Sequence, residues 1–130
     1  MKRNIFRFLT LTVVALSGCN DKPEEPVINF DSSVIDLGRI NFYAKPVTAT
    51  FSFTNGGQKE LKLVSVAADC TCTIPSYTAK PITYHEQGIM KVVFDPKAAN
   101  TIGVMERSVV VRTNTKPQLH TLIVKMVVYK

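Results

Sequence analysis

Apolar and polar residues alternate along most of this chain from residue 28 onward. The segment 47–54, VTATFSFT, is the clearest case, because every second residue is apolar and the residues between are threonine or serine. This alternation is typical of a β-strand with one face buried and the other in water. The residues of its apolar face are Val47, Ala49, Phe51 and Phe53.

Similar runs are short and are separated by turn residues. Strands are expected at 88–96, 104–114 and 119–129, and no stretch combines helical periodicity with helix caps. About seven strands at a spacing of roughly 8–12 residues predict a β-sandwich. Two local features refine this picture: NGG at 55–57 predicts a tight hairpin, and a switch of apolar parity near Val64 predicts a bulge.

The first nineteen residues are typical of a bacterial lipoprotein signal peptide. MKRNIFR is basic, and the following apolar run at 8–16 is shorter than the roughly 20 residues that span a bilayer. The sequence LSGC at 16–19 resembles a lipobox, in which the cysteine is acylated and becomes the new N-terminus. We therefore expect Cys19 to carry lipid and to hold the mature protein at a membrane.

The residues after Cys19 predict a tether rather than a folded segment. Residues 20–27 are polar and acidic and contain prolines, so a flexible tether is expected before a domain at 28–130. Acidic residues at this position resemble the surface-export signals of Bacteroidetes lipoproteins. The expected location is therefore the cell envelope, with the lipid in the outer membrane; the periplasmic and surface-exposed sides both stay open.

Charge argues against a nucleic-acid partner. The whole chain has a net charge of +6, but removal of the signal peptide leaves 13 basic and 10 acidic side chains, a net charge of +3. The basic residues are spread singly and do not alternate with aromatic residues. We therefore expect the partners to be membrane lipid, through acylated Cys19, and another envelope protein.

The strands and their order resemble the domain-of-unknown-function 1573 family over residues 28–128. The motifs that carry the resemblance are Asp36-Leu37-Gly38, the run FSFTNGG at 51–57, and Cys70 and Cys72 followed by Thr73. The resemblance implies an all-β, immunoglobulin-like β-sandwich of about seven to eight antiparallel strands, without catalytic residues. Two positions depart from the family pattern: Thr71 replaces a glycine, and HEQG at 85–88 replaces a Pro-Gly turn.

Cys70 and Cys72 form the candidate chemical site. Residues two apart on a strand are about 6.6 Å apart along the chain, whereas a disulfide needs Cβ atoms roughly 3.5–4.5 Å apart. Only a bend closes the pair, so packed thiols, a strained and reducible disulfide and a soft-metal clamp all stay open. A copper or zinc clamp would draw on His85 or His120; no other cofactor is expected.

Nothing else in the sequence predicts an enzyme. No nucleophile elbow, phosphate-binding loop or carboxylate cluster is present. Aromatic and histidine side chains in predicted loops are the candidate partner contacts. These residues are Phe42, Tyr43, Tyr77 and His85. The sequence predicts a non-catalytic, lipid-anchored binding or assembly module; the alternative is a thiol-redox or soft-metal protein that uses Cys70 and Cys72.

Overall fold

Eight strands and one short helix form the part of the chain that the structure describes. This computed structural model describes residue 18 and residues 21–130, so the predicted signal peptide and Cys19 lie outside the described residues. The elements are β1 (Ile28–Phe30), β2 (Val34–Asn41), β3 (Val47–Asn55), β4 (Leu63–Ala68), β5 (Thr73–Tyr77), β6 (Gln87–Phe94), α1 (Pro96–Ala99), β7 (Gly103–Thr113) and β8 (Leu119–Tyr129).

The strands form two four-stranded sheets, which confirms the predicted β-sandwich. The strand order is β1-β3-β6-β5 in sheet A and β2-β8-β7-β4 in sheet B. One pair departs from the antiparallel expectation, because β2 lies parallel to β8. The reason is that β1 and β2 run in the same direction and the chain changes sheets between them.

The inner faces of both sheets form the core, as the alternation in the sequence predicts. Ala49, Phe51 and Phe53 of β3 are buried, and Val124 and Met126 are buried opposite them on β8. Full burial of a large apolar side chain contributes about 1.5–3 kcal/mol. A register shift between Leu63 and Ser65 confirms the predicted bulge near Val64.

The prediction of a hairpin at 55–57 is wrong, because β3 and β4 belong to different sheets. Gly57 serves a close approach instead: a Cβ atom there would lie 1.8 Å from the carbonyl oxygen of Glu25. Part of the segment predicted as a tether therefore contacts the domain. The Gln58 and Lys59 N–H groups donate to the carbonyl oxygens of Pro23 and Glu24, at 3.0 Å each.

The connections between strands, apart from the short link 31–33, gather at two opposite ends of the sandwich. The cysteine end contains residues 42–46, 69–72 and 95–102, which all cross between the sheets, and the last residue of the chain. The amino-terminal end contains residues 23–27, 56–62, 78–86 and 114–118. The strand register fixes this division. Val47 begins β3 and Thr73 begins β5, and both align with Phe94 at the end of β6, so these strand ends lie together at the cysteine end.

Candidate functional site

The cysteine pair lies in a turn between β4 and β5, where the chain crosses from sheet B to sheet A. Cys70 and Cys72 are joined by a disulfide, and their Cα atoms are 5.2 Å apart. A bend therefore brings the two residues closer than a regular strand would. Cys72 is buried and Cys70 is half-buried. The Cys72 N–H donates to Cys70 Sγ at 3.0 Å.

Hydrogen bonds attach this turn to both sheets. The Asp69 N–H donates to the carbonyl oxygen of Ser108 in β7, at 3.1 Å. The Asp69 carboxylate accepts from the Ser108 N–H at 3.0 Å. On the other side, the Asp95 N–H donates to the Cys72 carbonyl oxygen at 2.9 Å. The turn is thus a fixed corner of the sandwich, with Cys70 on its outer side.

The two histidines named as possible metal ligands lie far from the cysteines. His85 is in the loop 78–86 and His120 is near the start of β8, so both are at the amino-terminal end. His120 Nε2 lies 2.9 Å from Thr115 Oγ1 and forms a hydrogen bond with it. Within residues 21–130, the structure contains no group of three His, Cys, Asp or Glu side chains placed to hold a metal ion.

Phe42 and Tyr43 lie together at the cysteine end, in the connection that leaves β2. Their rings meet edge to face, with centroids 5.2 Å apart. The Tyr43 N–H donates to Asn41 Oδ1 at 2.8 Å, and the Phe42 N–H donates to the Tyr129 carbonyl oxygen at 2.7 Å. Phe42 packs partly against the core, whereas Tyr43 is 64% exposed. The backbone of this aromatic pair is therefore held in place while one ring faces solvent.

Two cations stack on aromatic rings beside this pair. The Arg39 guanidinium lies 4.9 Å from the Tyr129 ring centroid, and Lys130 Nζ lies 5.5 Å from that of Phe42. Such contacts favour a fixed position for the cation and the ring. The prediction from sequence did not include Arg39, Tyr129 or Lys130. Their association depends on the parallel pairing of β2 with β8, for which the sequence offers no signal.

Tyr77 and His85 are not part of this cluster. Tyr77 was expected in a connection, but it is the last residue of β5, and it borders a surface groove of about 260 Å³ with Thr78 and Ile89. His85 lies at the opposite end and has a left-handed backbone, with φ of 63°. Its ring meets the Tyr84 ring edge to face, with centroids 3.9 Å apart. The four predicted contact residues therefore occupy three separate places.

Glu86 beside His85 is engaged in its own loop. Its carboxylate accepts from Lys80 Nζ at 2.7 Å and from the Thr83 N–H at 2.9 Å. The Lys80 hydrogen bond, followed by those from Thr83, lowers the pKa of Glu86 from 4.5 to about 2. The carboxylate thus stabilises the loop turn, and this arrangement gives His85 no acid–base partner.

The free edge of sheet A is interrupted by a proline. The Thr78 N–H donates to the Ile89 carbonyl oxygen at 3.1 Å, and the Cys72 carbonyl accepts from the Asp95 N–H. The backbone N–H and C=O groups of every second residue, counted from Cys72 to Thr78, therefore point toward β6. Pro75 has the other parity and faces the free edge, where it offers no N–H. Proline in an edge strand opposes pairing with a further strand.

Two facing four-stranded sheets with connections across both ends define an immunoglobulin-like β-sandwich. The chain belongs to the family DUF1573, described as a protein of unknown function, whose model matches residues 28–128. No curated protein matched the chain. Among the residues that the structure describes, no helix is long and apolar enough to cross a membrane.

Solved structures with the same fold are distant in sequence. A protein of unknown function from Porphyromonas gingivalis W83 is 17% identical with a TM-score of 0.72, over 82% of this chain and 48% of that one. The VesB protease of Vibrio cholerae is 12% identical with a TM-score of 0.56, over 79% of this chain and 32% of that one. WR4, a C. elegans MSP family member, is 14% identical with a TM-score of 0.52, over 78% of this chain and 97% of that one. These likenesses concern the fold alone, and this chain spans less than half of the first two structures.

Proposed function

We propose that this protein is a lipid-anchored, non-catalytic binding or assembly module of the bacterial cell envelope. The observation that carries the proposal is the position of Tyr43 at one end of the sandwich. Its ring is exposed and packs on Phe42, and Asn41 holds its backbone. An aromatic side chain on a fixed backbone loses little conformational entropy when a partner covers it. The LSGC motif at 16–19 supports the anchor.

The position of the anchor gives the domain an orientation. Only three residues separate Cys19 from Pro23, whose carbonyl is bonded to the loop after β3. At about 3.6 Å per residue, this segment spans at most about 14 Å. The amino-terminal end would then lie close to the bilayer. Strand β8 has 11 residues and runs toward the other end, so the cysteine end would project about 35 Å farther out.

The anchor is tested with the full chain expressed in a Gram-negative host that is fed a labelled fatty acid. Wild type is expected to incorporate the label and to sediment with membranes. Cys19→Ser is expected to lose both properties. Cys70→Ser is the matched control, because it changes another cysteine and should leave labelling intact. Labelling of Cys19→Ser at the wild-type level would contradict the anchor.

The binding role is tested by photo-crosslinking in the same cells. A photoreactive amino acid at Tyr43 is expected to give a cross-linked species of defined mass. The control position is Thr121, an exposed residue near the start of β8, away from the cysteine end. We expect no such species from Thr121. Absence of a cross-link from Tyr43 in labelled, membrane-bound protein, or equal cross-linking from both positions, would contradict a partner at the cysteine end.

The disulfide favours a second candidate, thiol–disulfide exchange. A thiolate of a dithiol protein would attack Sγ of Cys70, the outer cysteine, and the electron pair of the broken S–S bond would pass to Cys72, which is then protonated. The second thiol of the partner would displace Cys70 and complete the exchange. In this case the Tyr43 cross-link would disappear in the Cys70→Ser/Cys72→Ser variant. A binding module should keep that cross-link.

A further inference from the structure

We infer that the cysteine end binds an acidic, apolar-containing segment of a partner protein. This inference rests on the proposed function and names the chemistry of its partner. The surface concerned, called the basic–aromatic patch below, is formed by side chains from β2, β7, β8, the connection 42–46 and Lys130, which follows β8. Its residues are Arg39, Phe42, Tyr43, Lys45, Val104, Val127, Tyr129 and Lys130.

The register of sheet B makes the apolar part of this patch continuous. Val127 of β8 lies between Arg39 of β2 and Val104 of β7 in the same row. The neighbouring residues Ile40, Met105 and Val128 are buried, so the residues in this row face outward. Val104 is 83% exposed at the end of this row, beyond the part of β7 that pairs with β4. Tyr129 has the same outward parity as Val127, and its carbonyl oxygen accepts from the Phe42 N–H at 2.7 Å, so this row adjoins the aromatic pair.

Charge decides which partner fits. Arg39, Lys45 and Lys130 are exposed, and none of them forms an ion pair among residues 21–130. By contrast, both acidic side chains at this end are directed toward groups outside the patch. Asp69 accepts from Ser108, and Asp95 accepts from the N–H groups of the first turn of α1. The patch is therefore a positive surface around an apolar centre, and it complements carboxylates that flank apolar side chains.

Glu106 limits how far the positive surface extends. It is the next outward residue after Val104 on β7, and it pairs with Lys125 of β8 at 3.2 Å. The middle of the outer face is therefore neutralised within the sheet. The positive charge beside Tyr43 is thus separated from Arg112, which is exposed at the other end of β7.

The proposed orientation argues for a protein rather than the protein's own bilayer. Lipid attached to Cys19 would place the amino-terminal end at the membrane and the patch at the far end of β8. A lipid headgroup of the same membrane would then be out of reach. Three cations around an apolar centre also lack the extended basic track that a nucleic-acid backbone requires.

The test uses the full-length protein, extracted in a non-ionic detergent, and two labelled decapeptides. One peptide alternates glutamate and tyrosine, and the other alternates glutamine and tyrosine. Fluorescence anisotropy is expected to give at least tenfold tighter binding of the glutamate peptide, with a loss of binding as salt rises. Equal affinity for the two peptides would overturn the inference.

Variants locate the binding surface. Arg39→Gln/Lys130→Gln is expected to weaken binding of the glutamate peptide at least fivefold. The matched control is Lys62→Gln/Lys116→Gln, which removes two exposed cations at the amino-terminal end and should change binding less than twofold. Equal losses in both variants would overturn the inference. Circular dichroism melting curves establish that each variant is folded.

Anionic vesicles distinguish the remaining source of negative charge. Suppose that phosphatidylglycerol vesicles bind wild type and bind Arg39→Gln/Lys130→Gln at least fivefold more weakly, while the glutamate peptide fails to bind wild type. That result would overturn the protein partner in favour of a lipid. If neither peptide binds but the Tyr43 cross-link persists, the proposed binding function stands and only the acidic character of the partner segment is rejected. Loss of both would reject the two proposals together.

Discussion

The side-chain amide of Asn55 donates a hydrogen bond to the carbonyl oxygen of Ile82, at 2.9 Å, from a fully buried position. The same amide nitrogen donates to the Lys59 carbonyl oxygen at 2.8 Å. Its oxygen accepts from the N–H groups of Gly57, at 2.9 Å, and Val27, at 3.3 Å. One side chain thus joins three loops at the amino-terminal end, in addition to the backbone pairing of Leu61 with Ile82.

Asn55→Ala is expected to destabilise the protein strongly. The substitution removes the partner of the Gly57 and Val27 N–H groups and of the Lys59 carbonyl, whereas the Ile82 carbonyl keeps the Leu61 N–H as a donor. Each buried polar group left unpaired costs about 1–3 kcal/mol. We expect the free energy of unfolding in urea to fall by about 3 kcal/mol or more. Asn114→Ala is the matched control, because Asn114 also joins two loops but is exposed. Its loss should be about 1 kcal/mol, and equal losses would contradict the role of burial.

Gly57→Ala is expected to detach residues 23–27 from the domain. The added methyl group would overlap the Glu25 carbonyl oxygen, so the segment must move. Hydrogen exchange should accelerate at the Gln58 and Lys59 amides, which donate to this segment. The control is Gly38→Ala, where the backbone has φ of +69° but no atom lies within 4 Å of the added group. It should cost about 1–2 kcal/mol through backbone strain alone and should leave those amides protected.

The two cysteines are expected to respond differently to replacement by serine. Either substitution removes the disulfide, and closure of so short a loop contributes about 1.5 kcal/mol in the chain-entropy model. Cys72→Ser also places a hydroxyl group in the core, since Cys72 is 1% exposed, and this adds about 1–3 kcal/mol. Urea unfolding of the two variants measures the difference. Equal destabilisation would show that the surroundings of Cys72 accept a polar group.

Acid is expected to remove the contribution of Glu86 to stability. The pKa of Glu86 is lowered to about 2 in the folded state from 4.5, mainly by the Lys80 hydrogen bond. A lowered folded-state pKa means that the stabilisation is complete above pH 4.5 and is lost as the pH falls toward 2. The difference in Tm between wild type and Glu86→Gln should therefore shrink over that interval.

Lys80→Met provides the companion measurement for Glu86. Removing the lysine should return the pKa of Glu86 toward 4.5, so the pH dependence of this variant should resemble that of Glu86→Gln. A difference in Tm between wild type and Glu86→Gln that stays constant from pH 6 to pH 2 would show that the carboxylate does not act through its charge.

The sequence by itself determined the elements whose signal is local. Side chains on a strand alternate between its faces, so the spacing of Ala49, Phe51 and Phe53 was sufficient to predict a buried face. The parity switch near Val64 likewise predicted the bulge. The family resemblance was confirmed over residues 28–128. The alternation and the parity switch each depend on neighbouring residues in the chain.

Only the tertiary structure decided which strands become neighbours and what lies at each end. The NGG at 55–57 carries a turn signal, but β4 belongs to the other sheet, so this segment crosses between the sheets. The missing side chain of Gly57 leaves room there for the backbone of Glu25. Tyr43 was named from sequence, whereas Arg39 and Tyr129 joined it through the parallel register of β2 and β8. Strand pairing is a contact between distant parts of the chain, so local periodicity predicts which residues are buried and leaves the composition of the surface patch to the fold.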